Sequence, residues 1–255
     1  MIEAIFLGVG EAFDENLPNT SLLVRQDTDE PGATLLLDCG FTVPPRFWAE
    51  SPDPDELDGI WISHFHGDHF FGIPALLVRF WEEKRSKPLT FLGQKGVESR
   101  VRDCLDLAYP GFNGKLTFEA RFMEVEPGND IVFEGFTLRT AENGHSMRDL
   151  ALRIDAGGKS LYYSGDGRPT AEGASLARGA DLVIQEAFHP ETEFPGHGTA
   201  LGAIDMAGKC GAARLALVHV NRDARDVLVR DLDKLASPFS GIHVRVPEPG
   251  HRLVL

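Results

Sequence analysis

The stretch SHFHGDH (residues 63–69) places three of the chain's nine histidines and one aspartate within seven residues. Alternate residues of an extended segment project to the same side, so the imidazoles of His64 and His66 can reach one metal ion. A turn after His66 can bring Asp68 and His69 toward a second ion. Imidazole and carboxylate ligands together suit zinc, iron(II) or manganese. A polar surface loop is the alternative, and the rest of the chain must supply the ligands that a metal site still lacks.

Apolar patterns on both sides place this stretch in the fold. Residues 60–62 have the pattern of a short buried strand. Apolar residues at helical spacing then predict a helix over residues 72–87, with Pro88 as a stop. The histidines therefore lie on a loop between a strand and a helix.

Three further candidate ligands lie at the ends of predicted strands. They are His145 in Gly-His-Ser, Asp166 in Ser-Gly-Asp-Gly, and His219 at the end of the run 215–218. Taken singly, a histidine after a strand is more often a hydrogen-bonded structural residue, and an aspartate beside glycines is a common turn residue. Their order and their position at strand ends favour one shared site with residues 63–69.

Strand patterns outnumber helix patterns along the chain. The predicted strands span residues 3–7, 21–25, 34–38, 60–62, 89–92, 115–125, 131–133, 136–140, 150–154, 160–163, 180–184, 214–218, 242–246 and 252–255. The predicted helices span residues 72–87, 97–105, 199–210 and 223–236, and a turn is predicted at 29–32. Several helices connect strands and others follow hairpins, which predicts an α+β fold, a four-layer αββα sandwich. No repeat or linker interrupts the pattern, so we expect residues 1–255 to form a single domain.

Composition excludes several classes of function. The formal net charge of −14 argues against general nucleic-acid binding, because phosphate recognition draws on lysine and arginine. No apolar run approaches the roughly 20 residues that span a bilayer, and the acidic start predicts no secretory signal. Three widely spaced cysteines, Cys39, Cys104 and Cys210, predict free thiols in the cytoplasm.

The series H-x-H-x-D-H, G-H-S, G-D and a strand ending in histidine resembles the metallo-β-lactamase superfamily over nearly the whole chain. The resemblance implies the αββα sandwich and two divalent metal ions, with zinc first and manganese or iron as alternatives. It also implies which residues hold them. The first ion would be held by His64, His66 and His145, the second by Asp68, His69 and His219, and Asp166 would bridge them. Asp68 would in addition take the proton of the attacking water.

A second group of motifs resembles the ribonuclease Z branch of that superfamily. The residues 195–200, PGHGTA, precede a predicted helix and then the strand that ends in His219, and the stretches 19–24, 37–40 and 163–169 also resemble that branch. By this likeness His197 would protonate the leaving group as general acid. The alternative is an exposed histidine in a helix-capping loop. Relatives in this branch are often dimers, so the resemblance also implies a homodimer.

Two departures from the ribonuclease Z pattern bear on the substrate. His145 and Asp166 are only 21 positions apart, and two short strands fill the interval, so the flexible arm that grips transfer RNA in that branch has no room. Residues 41–44 read FTVP where the branch has E-G-T-Q. Together with the acidic charge, these departures favour a small phosphodiester, such as a cyclic nucleotide, over transfer RNA.

Two residues are weaker candidates for substrate binding. Arg168 can meet a phosphate or pair with an acidic neighbour. His189 can touch the substrate or serve as a structural histidine.

The leading interpretation is a dinuclear metal-dependent phosphodiesterase. The alternative enzyme is a hydrolase of carboxylic esters, thioesters or lactones on the same scaffold, which would not need His197 as an acid. A non-catalytic metal-binding protein and a di-iron redox protein are further alternatives. Fold alone does not decide among them, because the site residues carry the chemistry.

Overall fold

The structure, a computed structural model, describes residues 1–26, 32–239 and 241–255. Residues 29–31 of the predicted turn at 29–32 lie outside these ranges. The strands are β1 Ile2–Gly8, β2 Ser21–Gln26, β3 Thr34–Leu37, β4 Gly59–Ile62, β5 Leu89–Gly93, β6 Ala120–Glu124, β7 Ile131–Phe133, β8 Phe136–Glu142, β9 Leu150–Ala156, β10 Lys159–Tyr163, β11 Leu182–Glu186, β12 Arg214–Val218, β13 His243–Arg245 and β14 Arg252–Val254. The helices are α1 Val43–Glu50, α2 Gly67–Phe70, α3 Ile73–Glu82, α4 Val97–Ala108, α5 Ala171–Ala177, α6 Ala200–Cys210 and α7 Arg222–Ala236.

The strands described form two mixed sheets of seven strands each. The first has the order β14-β1-β2-β3-β4-β5-β6, and the second has the order β13-β12-β11-β10-β9-β8-β7. In the first sheet β3 to β6 run parallel, and in the second β10 to β13 run parallel. The remaining neighbours pair antiparallel.

Three apolar clusters show how the layers pack. Residues from both sheets, among them Phe6, Trp61 and Leu152, form the cluster between the sheets. A second cluster packs α1, α3 and α4 on the outside of the first sheet, and a third packs α6 and α7 on the outside of the second. This arrangement confirms the predicted α+β fold, a four-layer αββα sandwich. Strand β1 contributes alternate residues to the inner and outer clusters because successive side chains point to opposite faces.

The carboxyl ends of several strands meet at one edge of the sandwich. In the second sheet β10, β11 and β12 are parallel neighbours, and β8 runs in the same direction because both β8 and β10 are antiparallel to β9. In the first sheet β3 and β4 are parallel neighbours. The loops that follow these strands carry the predicted ligands, so the topology gathers them at this edge, as is typical of open sheets with parallel strands.

The sequence patterns missed some local structure. Of the strand predicted at 115–125 only Ala120–Glu124 forms, and the helix predicted to residue 87 ends at Glu82. Helices α1, α2 and α5 were not predicted. Pro44 and Pro45 lie in the first turn of helix α1, which tolerates them because their missing N–H groups would have no partner there. Helix α5 is capped by the Thr170 side chain, which accepts a hydrogen bond from the Gly173 N–H.

Candidate metal centre

Three histidine nitrogens converge at the first candidate ligand group. His64 and His66 lie on the loop after β4, and His145 lies on the loop after β8. His66 Nδ1 is 3.1 Å from His64 Nε2 and 3.0 Å from His145 Nε2. A tetrahedral zinc ion with Zn–N bonds of about 2.0–2.1 Å separates its ligands by roughly 3.3 Å. The three imidazoles therefore fit a metal ion placed between them.

The second candidate group contains two carboxylates and two imidazoles. His69 Nε2 lies 3.2 Å from both Asp68 Oδ2 and Asp166 Oδ1. His219 Nε2 lies 3.2 Å from Asp68 Oδ2 and 3.3 Å from Asp166 Oδ2. All four residues are buried, yet His69 Nε2 and Asp166 Oδ1 have no hydrogen-bond partner. Buried polar atoms normally have one, so this donor set fits a cation that both atoms would contact.

Both ligand groups are close together. The rings of His64 and His69 lie 4.3 Å apart, and each belongs to a different group. The structure thus brings together all seven residues predicted as metal ligands, namely His64, His66, Asp68, His69, His145, Asp166 and His219. The i, i+2 argument for His64 and His66 agrees with the observed approach of their nitrogens. The turn predicted after His66 is the short helix α2, which carries Asp68 and His69.

Three of the histidines donate their second ring N–H to an oxygen atom. His64 Nδ1 is 2.9 Å from Asp149 Oδ2, and His69 Nδ1 is 2.8 Å from Asp38 Oδ2. His145 Nδ1 is 2.7 Å from the Gly196 carbonyl. These contacts fix the tautomer in which the other nitrogen faces the site.

Asp38 joins the two sheets behind the site. Its buried carboxylate accepts hydrogen bonds from the Ser63 N–H and hydroxyl at 2.8 Å each, from His69, and from the Tyr163 hydroxyl at 2.6 Å. Its φ of 58° lies in the left-handed region, which aspartate tolerates better than most residues. Sequence reasoning missed Asp38 and Asp149 as site residues. Asp38 had a signal in the stretch 37–40, whereas Asp149 had none.

The charge environment of the two groups differs. Burial and the neighbouring charge of His69 lower the pKa of His64 to about 4. Burial and the neighbouring charges of His64 and His145 lower the pKa of His66 to about 4 as well. At neutral pH these rings are uncharged and have lone pairs free for a metal. Burial alone would lower the pKa of His219, but Asp166 and Asp68 outweigh it and raise the pKa to about 9. The buried carboxylates of the second group therefore attract positive charge, which protons or a divalent cation can supply.

His197 lies beside both groups and is held by a buried glutamate. Its Nδ1 is 2.5 Å from Glu186 Oε1, and its ring stacks on Phe188 at 4.5 Å. The other Glu186 oxygen accepts hydrogen bonds from the N–H groups of Gly167 and Gly198. Burial would lower the pKa of His197, but the hydrogen bond and charge of Glu186 raise it above its ordinary value. Sequence reasoning singled out His197 and missed Glu186, which ends the buried strand β11 without a motif of its own.

A cavity of about 670 Å³ opens over the ligand groups and His197. Its rim carries three exposed aromatic side chains, Phe13, Phe41 and Phe71, which are 77%, 49% and 58% exposed. The Asn19 side chain links two of these rim segments. It donates to the carbonyls of residues 11 and 12 and accepts from the N–H and hydroxyl of Thr42.

The two candidates for substrate binding are not among the residues that line this cavity. The Arg168 guanidinium donates to the carbonyls of His197 and Phe194 at 3.2 and 3.0 Å. His189 Nδ1 accepts from the Thr192 N–H at 3.0 Å. Both side chains therefore contact the loop that precedes α6.

This chain has the metallo-β-lactamase fold, and its histidine and carboxylate side chains form a candidate metal centre at one edge of the sandwich. The sequence profile of the family described as "Anti-Pycsar protein Apyc1" matches residues 2–199, and the chain belongs to that family. Among the helices that the structure describes, none has the length and apolar character needed to cross a membrane.

Individual proteins are similar to this chain over most of its length. Ribonuclease Z of Geobacillus kaustophilus is 27% identical over 86% of this chain and 88% of its own. The metallo-β-lactamase fold protein YhfI from Bacillus subtilis superimposes with a TM-score of 0.79 at 23% identity, over 99% of this chain and 98% of its own. Human tRNase Z, short form, superimposes with a TM-score of 0.80 at 22% identity, with the same coverage.

Proposed function

We propose that this protein is a phosphodiesterase that works with two divalent metal ions, zinc in the first place, with manganese or iron as alternatives. The observation that carries the proposal is the pair of adjacent ligand groups with the His197–Glu186 pair beside them. His64, His66 and His145 would hold one ion, Asp68, His69 and His219 the other, and Asp166 would contact both. The histidine and carboxylate donors suit these metals.

Bound metal ions would supply a water activated near neutral pH and positive charge for the transition state. The chain's own residues carry out the proton transfers. Asp68 Oδ2 lies between His69 and His219, and it accepts the proton of the attacking water. His197 donates a proton to the leaving oxygen from its free Nε2, because Glu186 engages its Nδ1. Phe188 stacks on the His197 ring and limits its rotation.

The cavity favours a small substrate with a planar ring. Its rim of exposed phenylalanines can cover an aromatic face while the phosphodiester lies over the metal ligands. Base–aromatic stacking contributes about 1–3 kcal/mol per base, and every nucleobase offers such a face. The interval between His145 and Asp166 holds only β9, β10 and short turns, so no arm for a large RNA is inserted there. We therefore favour cyclic nucleotides over transfer RNA. Because the chain resembles ribonuclease Z, a transfer RNA precursor is also tested as a substrate.

Three further features remain proposals. The ribonuclease Z likeness implies a homodimer, and light scattering that shows a monomer would remove it. The uninterrupted pattern of the sequence implies one domain over residues 1–255. The free cysteines Cys39, Cys104 and Cys210 favour a cytoplasmic location.

The first test is hydrolysis of bis(p-nitrophenyl) phosphate by protein shown to hold about two metal ions per chain. We expect turnover that falls by about 10³-fold in Asp68→Ala, because the variant loses one proposed metal ligand together with a proton-accepting carboxylate, whose loss alone typically costs about 10²–10⁴-fold. The exposed Asp226→Ala is the matched control and should keep full activity. Cyclic nucleotides and a transfer RNA precursor are then compared at equal concentration.

The alternative predicts a different outcome. A hydrolase of carboxylic esters, thioesters or lactones would leave phosphodiesters intact, would cleave an ester panel, and would tolerate His197→Ala. No turnover of any phosphodiester by fully metal-loaded protein would refute the proposed function.

A further inference from the structure

The segment 193–198, termed here the acid segment, presents His197 to the metal centre. It has no regular secondary structure apart from a bridge between Phe194 and His197. It lies between the buried strand β11 and helix α6, and it must hold the His197 ring over the cavity. Because a general acid must lie within hydrogen-bonding reach of the leaving oxygen, the position of this segment limits catalysis.

Arg168 fastens the acid segment from one side. Its Nε donates to the His197 carbonyl at 3.2 Å, and its Nη2 donates to the Phe194 carbonyl at 3.0 Å. Its Nη1 lies 3.3 Å from the exposed carboxylate of Glu193. Hydrogen bonds from a charged donor are about twice as strong as neutral ones, and the planar guanidinium can reach two carbonyls at once. The guanidinium is thus engaged on the acid segment rather than aimed at the cavity.

The backbone of Arg168 is itself fixed next to the metal ligands. Its N–H and carbonyl pair with Gly144 at 3.1 and 3.0 Å, and Gly144 directly precedes His145. Gly167 has a φ of 106°, and a Cβ there would lie 2.8 Å from the Gly144 backbone. This close approach ties the loop that carries Asp166 to the loop that carries His145.

His145 fastens the acid segment from the other side. Its Nδ1 donates to the Gly196 carbonyl at 2.7 Å, while its Nε2 faces the first ligand group. Gly196 has a φ of 77°, and a Cβ there would lie 3.1 Å from the Ser146 N–H. The acid segment is therefore held at three carbonyls, two by Arg168 and one by His145.

We propose that Arg168 is a positioning residue for the acid His197 and does not bind the substrate phosphate. The inference rests on the proposed function and replaces the expectation that Arg168 contacts the substrate. Its two hydrogen bonds to the acid segment set the distance between His197 and the leaving oxygen. A displacement of about 1 Å can cost about 10²-fold in rate, so losing both bonds should weaken proton donation.

The leaving group separates positioning from phosphate binding. The oxygen that leaves a cyclic nucleotide needs a proton, whereas p-nitrophenolate leaves as a stable anion. We expect Arg168→Ala to lower kcat by about 30- to 100-fold on a 3′,5′-cyclic nucleotide and by less than about 3-fold on bis(p-nitrophenyl) phosphate. KM should change little for either substrate. A rise in KM on both substrates with kcat retained would overturn the proposal in favour of phosphate binding.

Two variants serve as comparisons. Glu193→Ala removes only the exposed ion pair and should change kcat by less than about 2-fold. His197→Ala should show the same leaving-group pattern with a larger loss, and the double variant Arg168→Ala/His197→Ala should be no slower than His197→Ala alone. Additive losses in the double variant would overturn the positioning role. Equal losses for His197→Ala on both substrates would instead refute the acid role in the proposed function.

A second readout does not depend on activity. Hydrogen–deuterium exchange in the acid segment should be faster in Arg168→Ala than in the metal-loaded wild type, while metal content and Tm stay the same. Unchanged exchange in this segment would overturn the proposal, and so would loss of metal in the variant.

Discussion

The carboxylate of Glu186 shows how one buried residue controls another. One oxygen accepts from His197 Nδ1, and the other accepts from two backbone N–H groups. The backbone bonds hold the buried carboxylate in place, so its charge faces the imidazole. That charge stabilises the protonated ring against the effect of burial.

This arrangement predicts a shift in the pH dependence of activity. In the proposed function His197 must be protonated to act as an acid, so activity is expected to fall as the pH rises through the pKa of His197. Glu186→Gln removes the charge that raises this pKa, and the alkaline limb of kcat should move to lower pH. The measurement is kcat against pH on a cyclic nucleotide, with the exposed Glu191→Gln as control. An alkaline limb that stays in place in Glu186→Gln would contradict the pairing.

At the residue scale, the sequence indicated the candidate metal ligands and missed the carboxylates that hydrogen-bond to their histidines. His64, His66, Asp68 and His69 are adjacent in the chain, and their chemistry is readable from spacing. Asp38, Asp149 and Glu186 lie on separate strands or loops and resemble ordinary turn or strand-end residues. They become partners of the histidines only where the two sheets bring them together.

At the level of elements, Arg85 joins the end of helix α3 to the loop between α1 and β4. The sequence alone presents this loop as a simple surface segment. The residue is 1% exposed and donates to the carbonyls of Leu57 at 2.5 Å and Pro88 at 2.8 Å, and also to that of Pro54. Its guanidinium lies over the Phe80 ring. Burial lowers the pKa of Arg85 to about 10, although nearby aspartates oppose this change.

Replacing Arg85 should destabilise the protein without affecting the metal centre. Arg85→Met leaves buried carbonyls without donors, and each such group costs about 1–3 kcal/mol. We expect the free energy of unfolding to fall by about 3 kcal/mol, measured by urea denaturation of the metal-loaded protein. The exposed Arg46→Met should stay within about 0.5 kcal/mol of the wild type. A loss below about 1 kcal/mol in Arg85→Met would mean that water replaces these hydrogen bonds.

Most strands and helices could be predicted because both sheets bury apolar side chains at strand spacing. Helix α2 could not be predicted, because a helix of four residues shows too little periodicity of apolar side chains. The helix predicted over 72–87 was too long, because Lys84 adopts a left-handed φ of 60° and Arg85 turns inward. Local helix propensity cannot predict this change of chain direction, because it depends on hydrogen bonds from Arg85 to the carbonyl groups of a distant loop.

Across the whole molecule, the candidate metal centre gathers buried carboxyl groups where the two sheets meet. Five buried carboxylates surround the ligand groups, and they are Asp38, Asp68, Asp149, Asp166 and Glu186. Removal of divalent cations would leave these charges in a low-dielectric region with only protons to balance them. Metal binding should therefore stabilise the fold by mass action.

Chelation should accordingly lower Tm by about 10 °C. A ligand at about 1,000 times its Kd adds about 4 kcal/mol, and a chain of this size shifts by about 2–4 °C per kcal/mol. The measurement is thermal unfolding before and after dialysis against a chelator, with zinc added back to restore Tm. A His64→Ala/His69→Ala variant should respond little to chelation. A shift below about 2 °C in wild-type protein that has demonstrably lost its metal would contradict this coupling.

The sequence by itself predicted most of the strands and helices, the four-layer packing and the candidate metal ligands that the structure brings together. These follow from local signals, namely strand and helix periodicity and donor residues at short spacing or at strand ends. The tertiary structure alone decided which carboxylates support the histidines, that Glu186 pairs with His197, and that Arg168 holds the acid segment. These contacts join residues from different strands and loops, and their geometry depends on how the two sheets pack, which no local pattern encodes.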